Sequence, residues 1–181
     1  FISKLPGAKK HYQKYLPLMP IALEQLDLRE YDLVISSESG PAKGIIISPD
    51  ATHICYCHSP MRYVWDMYPD YVKTAGLLSR WLMRPLIHYL KIWDRLSADR
   101  VDYFIANSSF VAKRINKFYR RSAEVIHPPV DIDEFELNSE KSDFYLLLGQ
   151  LTHYKRADLA VDAFLANGKK LIVIGDGEQY Q

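Results

Sequence analysis

The segment Leu148-Gly149-Gln150-Leu151-Thr152-His153-Tyr154-Lys155-Arg156-Ala157-Asp158 places two adjacent cations, Lys155 and Arg156, after an apolar run and before a helical pattern. The carboxyl end of a parallel strand facing a helix N-terminus is where α/β proteins take ligands. Free backbone N–H groups and the helix dipole favour an anion there. The two cations strengthen that preference, and a phosphate is its natural occupant. The competing reading is a pair of solvated loop charges. Gly175-Asp176-Gly177 closes the next apolar run, and glycines in that place let a ligand approach the backbone, although an ordinary turn needs them equally.

A second group is His53, Cys55, Cys57 and His58. On a strand, side chains alternate, so His53, Cys55 and Cys57 share one face and His58 points to the other. Structural zinc sites use two-residue gaps between cysteines, a spacing not met here, and no metal is expected. Cysteines one residue apart on a strand are poorly placed to bridge each other, which points to a reduced, cytoplasmic protein. The run Met61-Arg62-Tyr63-Val64-Trp65-Asp66 follows, and its aromatics suit either sugar stacking or packing on a helix.

The elements that must position these residues alternate in type. Strands are expected at 31–36, 53–57, 101–106, 123–127, 144–148 and 171–174, with an apolar patch of undetermined type at 43–48. Helices are expected at 12–28, broken near Pro17 and Pro20, at 79–100, at 110–119 behind an Asn107-Ser108-Ser109 cap, and at 157–166. In the long helix Leu82, Leu86, Tyr89, Leu90, Trp93 and Leu96 recur at helical spacing, with Arg80, Arg84, Lys91 and Arg95 largely off that face. Strand, helix, strand with short connections gives an α/β fold with parallel sheets. Residues 130–142 are polar and acidic and read as a linker between a domain over 1–129 and another over 143–181.

Over 181 residues the net charge is +1, with 48% hydrophobic residues. The charge is uneven: residues 80–121 hold ten Lys/Arg against three Asp, a local net of +7. That stretch is either the polar faces of two helices or a contact with an anionic membrane where a lipid-linked acceptor sits. No nucleic-acid module accompanies it. No apolar run approaches the roughly 20 residues of a membrane span. The opening Phe1-Ile2-Ser3-Lys4 and the stop just after Gly177 read as truncations of a longer protein.

Taken in order, these segments resemble glycosyltransferase family 4, metal-independent retaining enzymes of the GT-B type with two Rossmann-like domains, each only partly present here. The likeness rests on 149–164 with 173–177, on Ala106-Asn107-Ser108-Ser109-Phe110, on Val125-Ile126-His127-Pro128-Pro129, and on His53 through Asp66. The last is similar to bacterial mannosyltransferases of O-antigen and exopolysaccharide assembly. The resemblance implies that Lys155 holds the nucleotide-sugar diphosphate, with Gly149 and Arg156 beside it. Gln150 stands where the family usually has an arginine. It implies that Gly175 and Gly177 line the nucleotide base, that His58 reaches the transferred sugar as the catalytic-site histidine, and that Arg62, Asn107 and Ser108 lie on the acceptor side. The implied donor is GDP-mannose, as substrate rather than cofactor. The acceptor is lipid-linked or polysaccharide, and the place is the cytoplasm, either free or peripheral on the inner face of the membrane. Two other readings stand beside it. One is a non-catalytic nucleotide- or sugar-binding fragment. The other is a sugar-nucleotide-modifying Rossmann enzyme, which would need a glycine-rich fingerprint that is not visible.

Overall fold

Four short strands lie side by side in chain order: β1 (Leu33–Glu38), β2 (Thr52–Cys57), β3 (Tyr103–Ala106) and β4 (Glu124–Val125), every neighbouring pair parallel. The computed structural model describes residues 6–7, 12–69, 76–177 and 179–180. Phe1 to Lys4 and Gln181, on which the truncation reading rests, lie outside them. The α/β expectation holds. The chain divides into two compact units, Phe1–Pro129 and Val130–Gln181.

In the first unit each parallel step needs a crossover connection. The helices described over their full length are α1 (Met19–Glu24), α2 (Arg62–Trp65), α3 (Leu77–Ser97) and α4 (Ser109–Tyr119). Crossovers of one hand along strands that step one way all fall on one face of the sheet. That face is buried: Cys55, Cys57, Phe104 and Ala106 pack against Val111, Ile115 and Tyr119, which follow each other at four-residue spacing on α4. The opposite face, with Leu33, Ile35 and Tyr103, is exposed. A second cluster joins Met61 and Val64 to Ile87, Leu90 and Trp93 of α3.

Three expectations shift. β1 runs to Glu38, through residues read as a loop, because its inward polar groups find partners. Ser36 Oγ meets His53 Nε2 at 2.8 Å, and Glu38 meets Lys43. The patch at 43–48 is a single 3-10 turn (Ala42–Gly44) followed by extended chain. Over 12–28, a 3-10 helix (Tyr12–Leu18) containing Pro17 precedes α1, and Pro20 sits in α1's first positions, where its missing N–H costs nothing.

The apolar positions of α3 do not form one face. Leu86, Leu90 and Trp93 turn inward, whereas Leu82, Tyr89 and Leu96 are exposed. The basic stretch also divides. Arg100 bonds Glu24 and the Gly44 carbonyl, Arg114 pairs with Asp66, and Arg121 donates to the carbonyls of Ala98 and Asp102. Much of that charge fastens loops to helices.

In the second unit, residues 130–144 are exposed and carry one 3-10 turn (Ile132–Glu134). β5 (Tyr145–Leu148) and β6 (Leu171–Ile174) then pair in parallel around α5 (Ala157–Asn167). Tyr145 and Phe164 pack with ring centroids 4.9 Å apart. Among the described residues no helix is long and apolar enough to cross a membrane, and no group of three His, Cys, Asp or Glu is placed to hold a metal ion.

Candidate functional site

Two sets of polar groups emerge, one in each unit. In the first, the carboxyl edge of the sheet gathers the ends of β1, β2 and β3. His58 follows β2, is exposed, and shares a 3.0 Å hydrogen bond between its Nε2 and Ser37 Oγ. Its backbone N–H donates to the Glu38 carbonyl at 2.7 Å. Tyr56 meets its ring edge-on at 5.2 Å, and Tyr56 itself is tied by its hydroxyl to the Ile126 carbonyl. Arg62 opens α2, four residues beyond His58. The loop between them is held from α4: Arg114 pairs with Asp66 and donates to the Pro60 carbonyl.

Asn107 stands at the end of β3, next to β2, and its N–H donates to the Cys57 carbonyl at 3.4 Å. Its carbonyl takes a 3.1 Å hydrogen bond with His127 Nδ1. Ser108 is the N-cap of α4, its Oγ accepting from Val111 N at 3.3 Å and donating to Asn107 Oδ1. The structure therefore brings His58, Arg62, Asn107 and Ser108 to one edge. The hydroxyl of Ser108 is committed to capping, worth about 1 kcal/mol to the helix.

Behind this edge lies a buried charge cluster that the sequence reading did not single out. Lys43 Nζ contacts Asp94 Oδ1 and lies 3.8 Å from Glu38 Oε1, and all three side chains are shut off from solvent. Asp94 Oδ2 accepts from Trp65 Nε1 at 2.7 Å and from the Tyr119 hydroxyl at 2.9 Å. One cation serves two carboxylates, and the remaining donors to Glu38 are uncharged, the Lys43 backbone N–H at 3.2 Å and the Cys55 thiol at 4.0 Å. The surplus proton goes to Glu38, whose pKa burial raises to about 7 against the pull of Lys43. Burial pulls Lys43 the other way, but Glu38 and Asp94 outweigh it and hold its pKa above the ordinary lysine value. Burial also pushes the Tyr119 hydroxyl upward. The signal was present in the sequence: Asp94 sits four residues after Leu90 and seven after Ile87, on α3's inward face, where an acid needs a partner.

Of the remaining histidine and cysteines, His53 is fully buried and burial keeps its pKa below the usual value, so it is neutral. Cys55 and Cys57 are free and buried, and the Cys57 thiol is raised by its hydrogen bond with Cys55 and by burial.

In the second unit, Leu148, Gly149, Gln150, Gly175, Asp176 and Gly177 line an open cleft of about 370 Å³. A β-carbon added to Gly149 would stand 3.8 Å from Lys155 Nζ, so the ammonium lies over that glycine. Lys155 makes no ion pair with any described residue. Arg156 differs. It adopts a left-handed conformation (φ 54°) at the start of α5, and its guanidinium grips the Asp158 carboxylate at 2.9–3.0 Å. This pair raises Arg156 and lowers Asp158. Of the two cations expected at the opening turn, one is already matched by the protein's own carboxylate.

The glycines have a packing reason. A β-carbon on Gly175 would fall 1.8 Å from the Gly149 carbonyl oxygen, and one on Gly177 would fall 2.4 Å from that of Leu151. What demands glycine there is the neighbouring loop, joined by Gly149 N to Ile174 O at 3.0 Å and Leu151 N to Asp176 O at 2.9 Å. Asp176, given no role in the sequence reading, also lines the cleft, and its Oδ1 accepts from the Gly177 N–H at 2.7 Å.

A sheet of parallel strands joined by helical crossovers, with polar loops collected on its carboxyl edge, defines a Rossmann-like α/β domain. The model of the family described as Glycosyltransferase Family 4 matches residues 1–134, and the chain belongs to that family. Glycosyl transfer, in general terms, is what this membership supports. The match covers the first unit and ends ahead of the Gly149 cleft. No match was found among the curated proteins.

Proposed function

We propose that the chain takes part in moving a sugar, mannose in the reading preferred here, from a nucleoside-diphosphate donor to a lipid-linked or polysaccharide hydroxyl, with retention of configuration. What carries the reading is the family match over the first unit together with Lys155 poised over Gly149 in the second. The bond from the anomeric carbon to the leaving phosphate breaks, and a bond to the acceptor oxygen forms. The acceptor proton passes to the departing phosphate, so no protein nucleophile is required. Lys155, with the backbone of Gly149 and Gln150, stabilises the charge that develops on the diphosphate. Gly175 and Gly177 face the base. Arg156 joins Lys155 only by releasing Asp158. His58 is assigned to the transferred sugar, with Arg62 and Asn107 beside it. No metal or cofactor enters this scheme. The place assigned is the cytoplasmic side of a membrane.

The test is calorimetric titration of the full chain with GDP, UDP and ADP, followed by Lys155→Ala. Losing one charge-assisted contact weakens binding by about 1.5–3 kcal/mol. Binding of no nucleoside diphosphate, or an unchanged affinity in the variant, removes the role given to Lys155. A second reading, a binding module without turnover, is favoured by the Arg156–Asp158 pair, which leaves a single cation for two phosphates. Nucleotide binding without sugar transfer from GDP-mannose decides for it.

A further inference from the structure

Helix α3 carries an unexplained outward stripe. Leu82, Pro85, Tyr89, Ile92 and Leu96 follow one another at spacings of three and four, all exposed, with Leu82 at 66%, Ile92 at 47% and Leu96 at 58%. Trp81 adjoins the stripe at 71% exposure. At about 1.5 Å per residue the stripe runs some 21 Å along the helix. The inward face, built on Ile87, Leu90, Trp93 and Asp94, is a different one.

Between the two faces runs a basic row of Arg84, Lys91 and Arg95, with His88 among them. Helix α3 holds Arg80, Arg84, Lys91 and Arg95 and a single acid, Asp94, which is buried against Lys43. The acid nearest outside is Asp99, paired with Arg95. Arg84 lies over the Trp81 ring at 5.6 Å, and Lys91 over Tyr68 at 5.3 Å. These contacts orient the cations and leave their charge in place.

We propose that this stripe and its basic row dock onto an anionic lipid bilayer, the helix lying in the plane of the surface. An apolar face beside a cationic one is the pattern of interfacial helices. A tryptophan at the end of the stripe suits the headgroup depth. Charge selects the occupant. A second copy would set like charges against each other, whereas anionic headgroups complement the row. The exposed sheet face at Leu33, Ile35 and Tyr103 has no such row and carries no like assignment. The proposal stands apart from the donor reading, because lipid partition is measured without nucleotide.

The experiment is flotation of the full chain with vesicles of phosphatidylcholine alone or with about 30% phosphatidylglycerol, an anionic surface worth roughly fivefold in partition per basic residue. Binding is expected only to the anionic vesicles, falling as salt rises. Lipids brominated in their tails are expected to quench Trp81, since Trp93 is turned inward and Trp65 is stacked on Phe118. Arg84→Glu, a change of two charges, is expected to weaken partition at least tenfold. The paired changes Ile92→Ser and Leu96→Ser are expected to abolish it. Both variants are surface changes, checked by unaltered circular dichroism, and Lys113→Glu on α4 is the control expected to bind normally. The proposal is overturned if anionic vesicles do not float the chain. It is equally overturned if Arg84→Glu acts no more than Lys113→Glu, or if the serine pair instead converts a dimer to a monomer, which would give the stripe to a second copy.

Discussion

Replacing Glu38 by Gln tests the buried cluster most sharply, because the amide mimics the protonated acid and cannot ionise. Moving this carboxyl from its ordinary value of 4.5 to about 7 in the fold corresponds to about 3 kcal/mol. The sign follows from proton counting. Between those values the unfolded chain has released the proton while the folded chain retains it, so stability falls as pH rises. The favourable contribution is complete below about pH 4.5 and gone once pH passes the folded value near 7. Glu38→Gln removes this slope. The variant is expected to lie within about 1 kcal/mol of the parent near pH 4.5 and to gain on it by up to about 3 kcal/mol by pH 8. Urea unfolding read by tryptophan fluorescence suits the measurement, since all three tryptophans, Trp65, Trp81 and Trp93, belong to the first unit. Titrating groups that do not interact with Glu38 cancel in the difference between variant and parent. A difference that does not change between pH 4.5 and pH 8 refutes the reasoning, and shows that Glu38 is not the group holding the surplus proton.

Further outcomes follow from the same geometry. Lys43→Met leaves two buried carboxylates without their cation, and is expected to cost about 3–5 kcal/mol in denaturant unfolding, more at pH 8 than at pH 5. Gly44→Ala would put a β-carbon 2.1 Å from Trp93 Cζ2. The indole must then move off its 2.8 Å bond to Glu24, a loss of about 1–3 kcal/mol seen with an altered tryptophan emission. Gly175→Ala meets the Gly149 carbonyl at 1.8 Å, and hydrogen exchange is expected to show faster loss at the Gly149 and Leu151 amides while the first unit keeps its protection.

Much of the fold was legible because its strands are short apolar runs and its helices carry plain caps. Ser108 stands where a cap was expected, and α5 starts at Ala157 as its pattern required. β1 was misjudged by two residues at its end because Ser37 and Glu38 are polar, and only its tertiary partner Lys43 reveals that Glu38 faces inward. The stripe of α3 was read as one face because Leu82 and Tyr89 lie within a turn of Leu86 and Leu90. Sequence spacing alone does not say which half of a wide apolar arc the sheet covers. The structure brings His58, Arg62, Asn107 and Ser108 to one edge because they follow the ends of neighbouring parallel strands. The Arg156–Asp158 pair was not foreseen, because a left-handed residue at the helix start turns the guanidinium back on the first turn. Neither was the Lys43 cluster, whose members are as far apart as 81 positions in the chain (Glu38 to Tyr119).

Asp94 has a further consequence for how this chain can vary. Its two oxygens answer to Lys43, Trp65 and Tyr119 at once, so exchanging any one of the four leaves the others with unmet polar groups. The effects of such exchanges are expected to be far from additive. Tolerated replacements at these positions should therefore arrive as sets, an apolar quartet in place of a polar one, and a chain caught halfway between the two is the least fit of all.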